Sequence, residues 1–250
     1  MLEALSQLGR ADVGVTMLQQ TEYPSFGWML TNPYEPATTI WELWDAHQQG
    51  PGMNSRNHVM FGGPVGGWLY KFLGGVRPSE VVGPATAGYK EAVFAPPLSA
   101  CIPLERAATS ILTPQGRVGM VWTTAAPAAG AGNGSGNGNG GVQAEVVVPV
   151  GGAGRVVLDG RALHAAGALQ VAVDGVTVTD AQAVLPALVE MLAREADYVE
   201  LRLPSGTWSL GVSYPVDAAT LGACAGVGAF RGPGVVGEIV EEAEVMAVAA

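Results

Sequence analysis

The apolar positions change their spacing partway along the chain, and that change divides it. Near the start, Leu2, Leu5 and Leu8 recur at helical intervals and stop at Gly9, a residue suited to a helix C-terminus. Asp12 then stands as the cap of a second helix bearing Val13, Met17 and Leu18. Two short helices back to back predict an αα-hairpin. Pro24, Gly27 and Pro33 mark a loop, and Pro36 leads into residues 38–45. Further on, Val65, Trp68, Leu69, Phe72 and Leu73 follow the i, i+3, i+4, i+7, i+8 pattern of a helix with one buried face. Pro64 is expected to start or kink it, and Gly74-Gly75 to end it.

Between Gly88-Tyr89-Lys90 and Pro96-Pro97 the helical period fades. Short Val-rich runs separated by Gly and Pro follow, at 109–112, 117–123, 144–150, 155–158, 169–179, 199–203 and 207–213. These predict the strands of a β-sandwich. Residues 125–141 pass from Pro/Ala to Gly/Asn/Ser, cannot bury apolar area, and predict a floppy hairpin insertion. One helix is expected among the strands, capped by Asp180 and carrying Val184, Leu185, Leu188, Val189 and Leu192. The domain reading is therefore 1–95 helical, 96–215 β-sandwich, and a tail 216–250 of no assigned structure.

Composition narrows the functional classes. A net charge of −10, with 12 basic against 22 acidic residues, leaves no basic stripe for phosphates. Nucleic acid and an anionic membrane are not expected partners. Hydrophobic residues at 48% suffice for a core, and no apolar run reaches the 18 residues of a membrane-spanning helix. The first residues have neither a basic n-region nor an apolar h-region, so no signal peptide is expected. The compartment stays open. Cys101 and Cys224 are too few and too far apart for a disulfide framework and are expected as buried thiols. His47, His58 and His164 have no metal-ligand spacing, and neither a metal nor a cofactor is expected. Glycines 130–141 lack the strand-to-helix setting of a phosphate loop. Asn133-Gly134-Ser135 would be a glycosylation sequon only in a secreted chain.

The densest chemistry lies between Pro36 and Tyr70. In Trp41-Glu42-Leu43-Trp44-Asp45 a carboxylate is set between two tryptophans, and Met53-Asn54-Ser55-Arg56-Asn57-His58 follows. Flat aromatic faces suit the C–H face of a sugar ring, a carboxylate can activate water, and Asn and His can bind hydroxyls.

Three segments carry a resemblance: Gln20 to Met29 (QTEYPSFGWM), Ala37 to Asp45 (ATTIWELWD) and Met53 to His58 (MNSRNH), with Gly67-Trp68-Leu69-Tyr70-Lys71 as a fourth. In order and chemistry they are similar to consecutive motifs of the bacterial-type α-L-rhamnosidases, glycoside hydrolase family 78. The resemblance is good over residues 5–95 and weak beyond 150. It implies an α+β chain: the last helices of an (α/α)6 six-hairpin barrel, followed by an antiparallel β-sandwich. It also implies an inverting hydrolase of terminal α-L-rhamnosyl residues, acting on a rhamnose-containing glycoside or oligosaccharide. In such an enzyme an acid and a base sit roughly 6.5–9.5 Å apart, with room for water between them.

By motif position, Glu42 matches the family's general base and His58 a contact to a rhamnose hydroxyl. Trp41, Trp44, Asn54 and Asn57 are candidate sugar contacts, with one tryptophan lining the site and the other filling the barrel. Each residue has a structural alternative: Glu42 could cap or bridge a helix end, and His58 could be a hydrogen-bonded structural histidine. For Asp45 a cap or salt bridge is preferred over a second acid. The departures are Leu43, where the family has Arg, and Gly67, where it has Glu. The upstream acidic motif holding the family's general acid has no counterpart, since Glu105-Arg106 lies among the strands. The expectation is a C-terminal fragment without its acid, inactive alone, with a non-catalytic carbohydrate-binding module or pseudoenzyme remnant as the alternative.

Overall fold

Helix α1 (Leu2–Gln7) ends at Gly9, whose φ of +73° is the left-handed turn its position predicts. The computed structural model describes residues 1–50, 55–99, 101–102, 104–125, 138–160, 169–178, 186 and 188–216. In α2 (Ala11–Gln19) the N-cap position belongs to Arg10, not Asp12. Asp12 lies inside the first turn, 3% exposed, and holds Arg10 at 3.0 Å. The Arg10 side chain therefore supplies the counter-charge that a buried carboxylate needs.

The expected loop around Gly27 is corrected to a helix, α3 (Phe26–Thr31). Ser25 Oγ accepts the Trp28 N–H at 2.8 Å, a side-chain N-cap that outweighs the nearby prolines. Gly27 serves close approach here, since a Cβ would lie 2.3 Å from the Gln20 carbonyl oxygen. Helix α4 (Val59–Trp68) begins five residues before Pro64 and contains it, then widens into a π-turn over Leu69–Leu73. Of its expected buried face only Trp68 is fully enclosed, with Nε1 donating to Ser6 Oγ at 2.8 Å. Leu69 is exposed.

The eleven described strands form two sheets. The first is ordered β1 (Val76–Pro78), β2 (Glu91–Phe94), β6 (Ala153–Asp159), β10 (Tyr198–Leu203), β9 (Glu190–Arg194). The second is ordered β3 (Arg106–Thr113), β4 (Gly116–Ala125), β5 (Gly138–Val148), β11 (Gly206–Val216), β7 (Gln170–Val173), β8 (Val176–Val178). All pairings among the described strands are antiparallel except β2 with β6. Alternate residues of both sheets meet in one core, including Phe94, Leu158 and Leu201 from the first and Met120, Trp122, Val146 and Leu210 from the second. The chain is thus a helical portion followed by a β-sandwich. Strands β1 and β2 come from residues 76–94.

Three expectations change in the sandwich. Residues 138–141, read as part of an insertion, are strand: β5 pairs with β11 from Gly138 opposite Val216 onward. Glycine is required within it, because a Cβ on Gly140 would sit 2.5 Å from the Tyr214 ring. The helix expected through Leu188, Val189 and Leu192 is corrected to β9, which pairs with β10. Leu188 takes a left-handed φ of +69°, which breaks a helix there, and backbone pairing with β10 fixes residues 190–194 as an edge strand despite the helical spacing. Its earlier part, with residues 126–137, Asn133-Gly134-Ser135, His164 and the tail after 216, lies outside the described residues. Cys101 is disulfide-bonded, not a thiol.

Candidate active site

Residues 38–45 form no regular helix. They run beside residues 55–58, and the two segments are laced by backbone bonds. Glu42 N–H donates to the Ser55 carbonyl at 2.9 Å, and His58 N–H to the Ile40 carbonyl at 2.6 Å. Thr39 Oγ1 donates to the Arg56 carbonyl. Ser55 N–H in turn donates to Glu42 Oε2 at 2.9 Å, so an exposed carboxylate is held through one of its oxygens by a charge-assisted bond.

The two tryptophans flanking Glu42 part company. Trp41 is 4% exposed and packs with Met29, Ala37 and Ala46. Its backbone N–H points at Met29 Sδ, 3.3 Å away. Trp44 is 36% exposed and meets the Phe26 ring edge-on at 5.0 Å. Asn57 is exposed, its N–H donating to Ser55 Oγ at 3.2 Å. His58 is half-buried, tilted against Phe61 with ring centroids 4.5 Å apart. Glu42, Trp44, Asn57 and His58 therefore share the laced pair of segments and are open to solvent. Asn54 lies outside the described residues. Asp45 makes no side-chain cap; its Oδ2 accepts from Gln49 Nε2 at 3.3 Å.

Arg56 was not singled out by its chemistry, yet it fastens the site. Its guanidinium donates to the Ala46 carbonyl at 3.0 Å, pairs with Glu35, and lies 5.7 Å from the centre of the Trp41 ring. One side chain so grips the beginning, middle and end of the segment bearing Glu42. The only hint in the sequence was a cation beside Ser55. A second unforeseen feature is the parallel stack of Tyr34 on His47, centroids 5.1 Å apart, with Trp28 beside both. Trp28 Nε1 and His47 Nδ1 are buried there without a hydrogen-bond partner.

Comparison with known proteins agrees with these motifs. Residues 1–73 match the model of the bacterial alpha-L-rhamnosidase six-hairpin glycosidase domain. An alpha-L-rhamnosidase of Formosa agariphila is 34% identical over 125 residues, covering 48% of this chain and 12% of that protein. One of Streptomyces avermitilis is 36% identical over 101 residues, covering 38% and 9%. This chain thus spans about a tenth of the length of these relatives. Among solved structures, an alpha-L-rhamnosidase from Dictyoglumus thermophilum superposes with a TM-score of 0.58 at 24% identity, covering 84% of this chain and 20% of that one. The Streptomyces avermitilis alpha-L-rhamnosidase complexed with L-rhamnose gives 0.56 at 23% identity, covering 85% and 17%. At these identities the superpositions speak for the fold, and they extend it across helices and sandwich alike.

Proposed function

We propose, from the kinship of this chain with the α-L-rhamnosidases, that it supplies the base side of an inverting α-L-rhamnosidase site, the general acid coming from sequence outside these 250 residues. The observation that carries the reading is Glu42, exposed to solvent and fixed through Oε2 by the Ser55 N–H. A general base needs that combination: a carboxylate that water can reach, held still enough to aim. In the reaction, Glu42 takes a proton from the attacking water as the water's oxygen bonds to the anomeric carbon. The glycosidic bond breaks on the opposite face, and the acid protonates the leaving oxygen. His58 and Asn57 would bind hydroxyls of the rhamnosyl ring, and Trp44 would cover an apolar face.

The unpartnered apolar surface supports a longer polypeptide. Leu8, Leu30, Val59, Met60, Phe61 and Leu69 are all exposed on the helical portion. Side chains of this kind on neighbouring helices ordinarily meet further helices.

Two measurements test the proposal. The native protein, detected in its own cells by antibody against the sandwich, is expected well above 25.5 kDa; a band at 25.5 kDa would end the longer-chain reading. In that longer protein, Glu42→Gln is expected to lower kcat on an aryl α-L-rhamnoside by about 10²–10⁴-fold, with KM little changed. An unchanged kcat would remove Glu42 from the mechanism.

A further inference from the structure

The C-terminal end of β11 is held by its sheet on one side only. Strand β7 pairs with β11 from Leu210 to Ser213, so among the described strands Tyr214, Pro215 and Val216 have β5 alone as neighbour. Their partners there are Gly140, Asn139 and Gly138. Glycine loses more freedom on ordering than any other residue, and Pro215 has no N–H to give to the ladder. The ladder is weakest at this end, yet Tyr214 and Val216 are each 3% exposed. Something besides the ladder holds them.

The segment between β2 and β3 reaches this end of the strand. Ile102 and Leu104 pack on the same core as Tyr214 and Val216, and the Ser99 backbone hydrogen-bonds the Tyr214 phenol. Cys101, half-buried, donates its N–H to Ser99 Oγ at 3.3 Å, and its sulfur is in a disulfide. The sequence contains two cysteines, so within these 250 residues the partner can only be Cys224. Cys224 lies outside the described residues; the count of cysteines alone identifies it.

We infer that a Cys101–Cys224 disulfide is a redox-sensitive staple that keeps the glycine end of the β5–β11 ladder closed. The inference is independent of the role proposed for Glu42. The bond ties the chain that leaves β11 to the segment that leads into β3, so the chain beyond Val216 cannot draw β11 off its glycine partners. The loop it closes contains every described strand from β3 to β11, and long closed loops restrict the unfolded chain most. Its formation is a two-electron oxidation. Each thiol gives up its proton, an S–S bond forms, and the electrons pass to a small disulfide such as oxidised glutathione, which leaves as two thiols. The sandwich therefore matures where thiols are oxidised.

The native protein, purified without reductant and with free thiols alkylated, is digested and mapped by mass spectrometry. The peptides holding Cys101 and Cys224 are expected to be linked and to separate on reduction. Hydrogen exchange is then compared in oxidised and reduced protein. Reduction should speed exchange of the ladder amides within residues 138–141 and 213–216 at least about tenfold, and leave those within 144–146 and 208–210 unchanged. Cys224→Ser should behave as the reduced protein does; should it fail to fold, reduction of the folded wild type makes the same comparison. Both cysteines alkylated even after oxidised glutathione, or Cys101 linked to a second copy or to any other cysteine, would overturn the pairing. Equal protection of residues 138–141 and 213–216 with the bond intact and reduced would overturn the staple.

Discussion

Trp122 Nε1 donates to the carbonyl oxygen of Leu73 at 2.9 Å, across 49 positions of sequence. The indole is fully buried in the sandwich core, and the carbonyl belongs to the last turn of the helical portion. A core side chain of one unit thereby satisfies a helix-end acceptor of the other. Trp122→Phe keeps most of the buried ring and leaves that carbonyl unpaired. It is expected to lower stability by about 1–3 kcal/mol in urea unfolding. A change smaller than the error of the melt would show the bond to be dispensable.

Gly75 sits next to that junction with φ +70°, and a Cβ there would lie 2.5 Å from Met120 Cε and 2.6 Å from the Ala95 carbonyl oxygen. Gly75→Ala combines left-handed strain with a clash against backbone, so a loss of at least about 2 kcal/mol is expected. Thermal unfolding checks it, with Gly83→Ala, whose Cβ would meet nothing within 4 Å, as the tolerated comparison.

Ser25→Ala removes the only side-chain cap of α3, leaving the Trp28 N–H without its acceptor. The expected cost is about 0.5–2 kcal/mol. Ser25→Asp, which restores an acceptor, should recover most of it, and urea midpoints of the three proteins decide.

Arg56→Met cuts the clamp on residues 35–46 while keeping a long apolar stem over Trp41. Faster hydrogen exchange at the Ser55 amide, the donor to Glu42, is the expected outcome, with an opening free energy lower by about 1–3 kcal/mol. Equal protection in the two proteins would mean that the backbone lacing alone holds Glu42.

Tyr214 is 3% exposed, and burial pushes its phenol up to about 12. Above pH 10 the unfolded chain loses this proton before the folded one, so the folded state binds more protons and stability falls as pH rises. The loss runs from about pH 10 to about pH 12 at no more than about 1.4 kcal/mol per pH unit. Tyr214→Phe should flatten that part of the stability–pH curve relative to wild type.

Much of this was legible in the sequence, for reasons visible at particular residues. Val-rich alternation placed seven strand regions because half-buried strands have period two whatever their partners. The Trp41-Glu42-Leu43-Trp44 and Asn57-His58 motifs placed the candidate chemistry because short-range order carries it. The failures are as specific. Leu188, Val189 and Leu192 have helical spacing, yet a free edge on β10 made residues 190–194 a strand. Residues 138–141 look like linker, yet β11 and the Tyr214 ring require a strand of bare glycines.

By itself, the sequence determined the division into a helical part and a strand-rich part, the acidic balance, and the motifs that resemble those of the α-L-rhamnosidases. Only the tertiary structure decided that Trp41 is core while Trp44 faces solvent, that Arg56 clamps the Glu42 segment, and that Ser55 holds the carboxylate. The reason is physical. Periodicity and motif report what a residue does among its sequence neighbours, whereas burial and hydrogen-bond partners depend on segments that chain closure brings together from a distance.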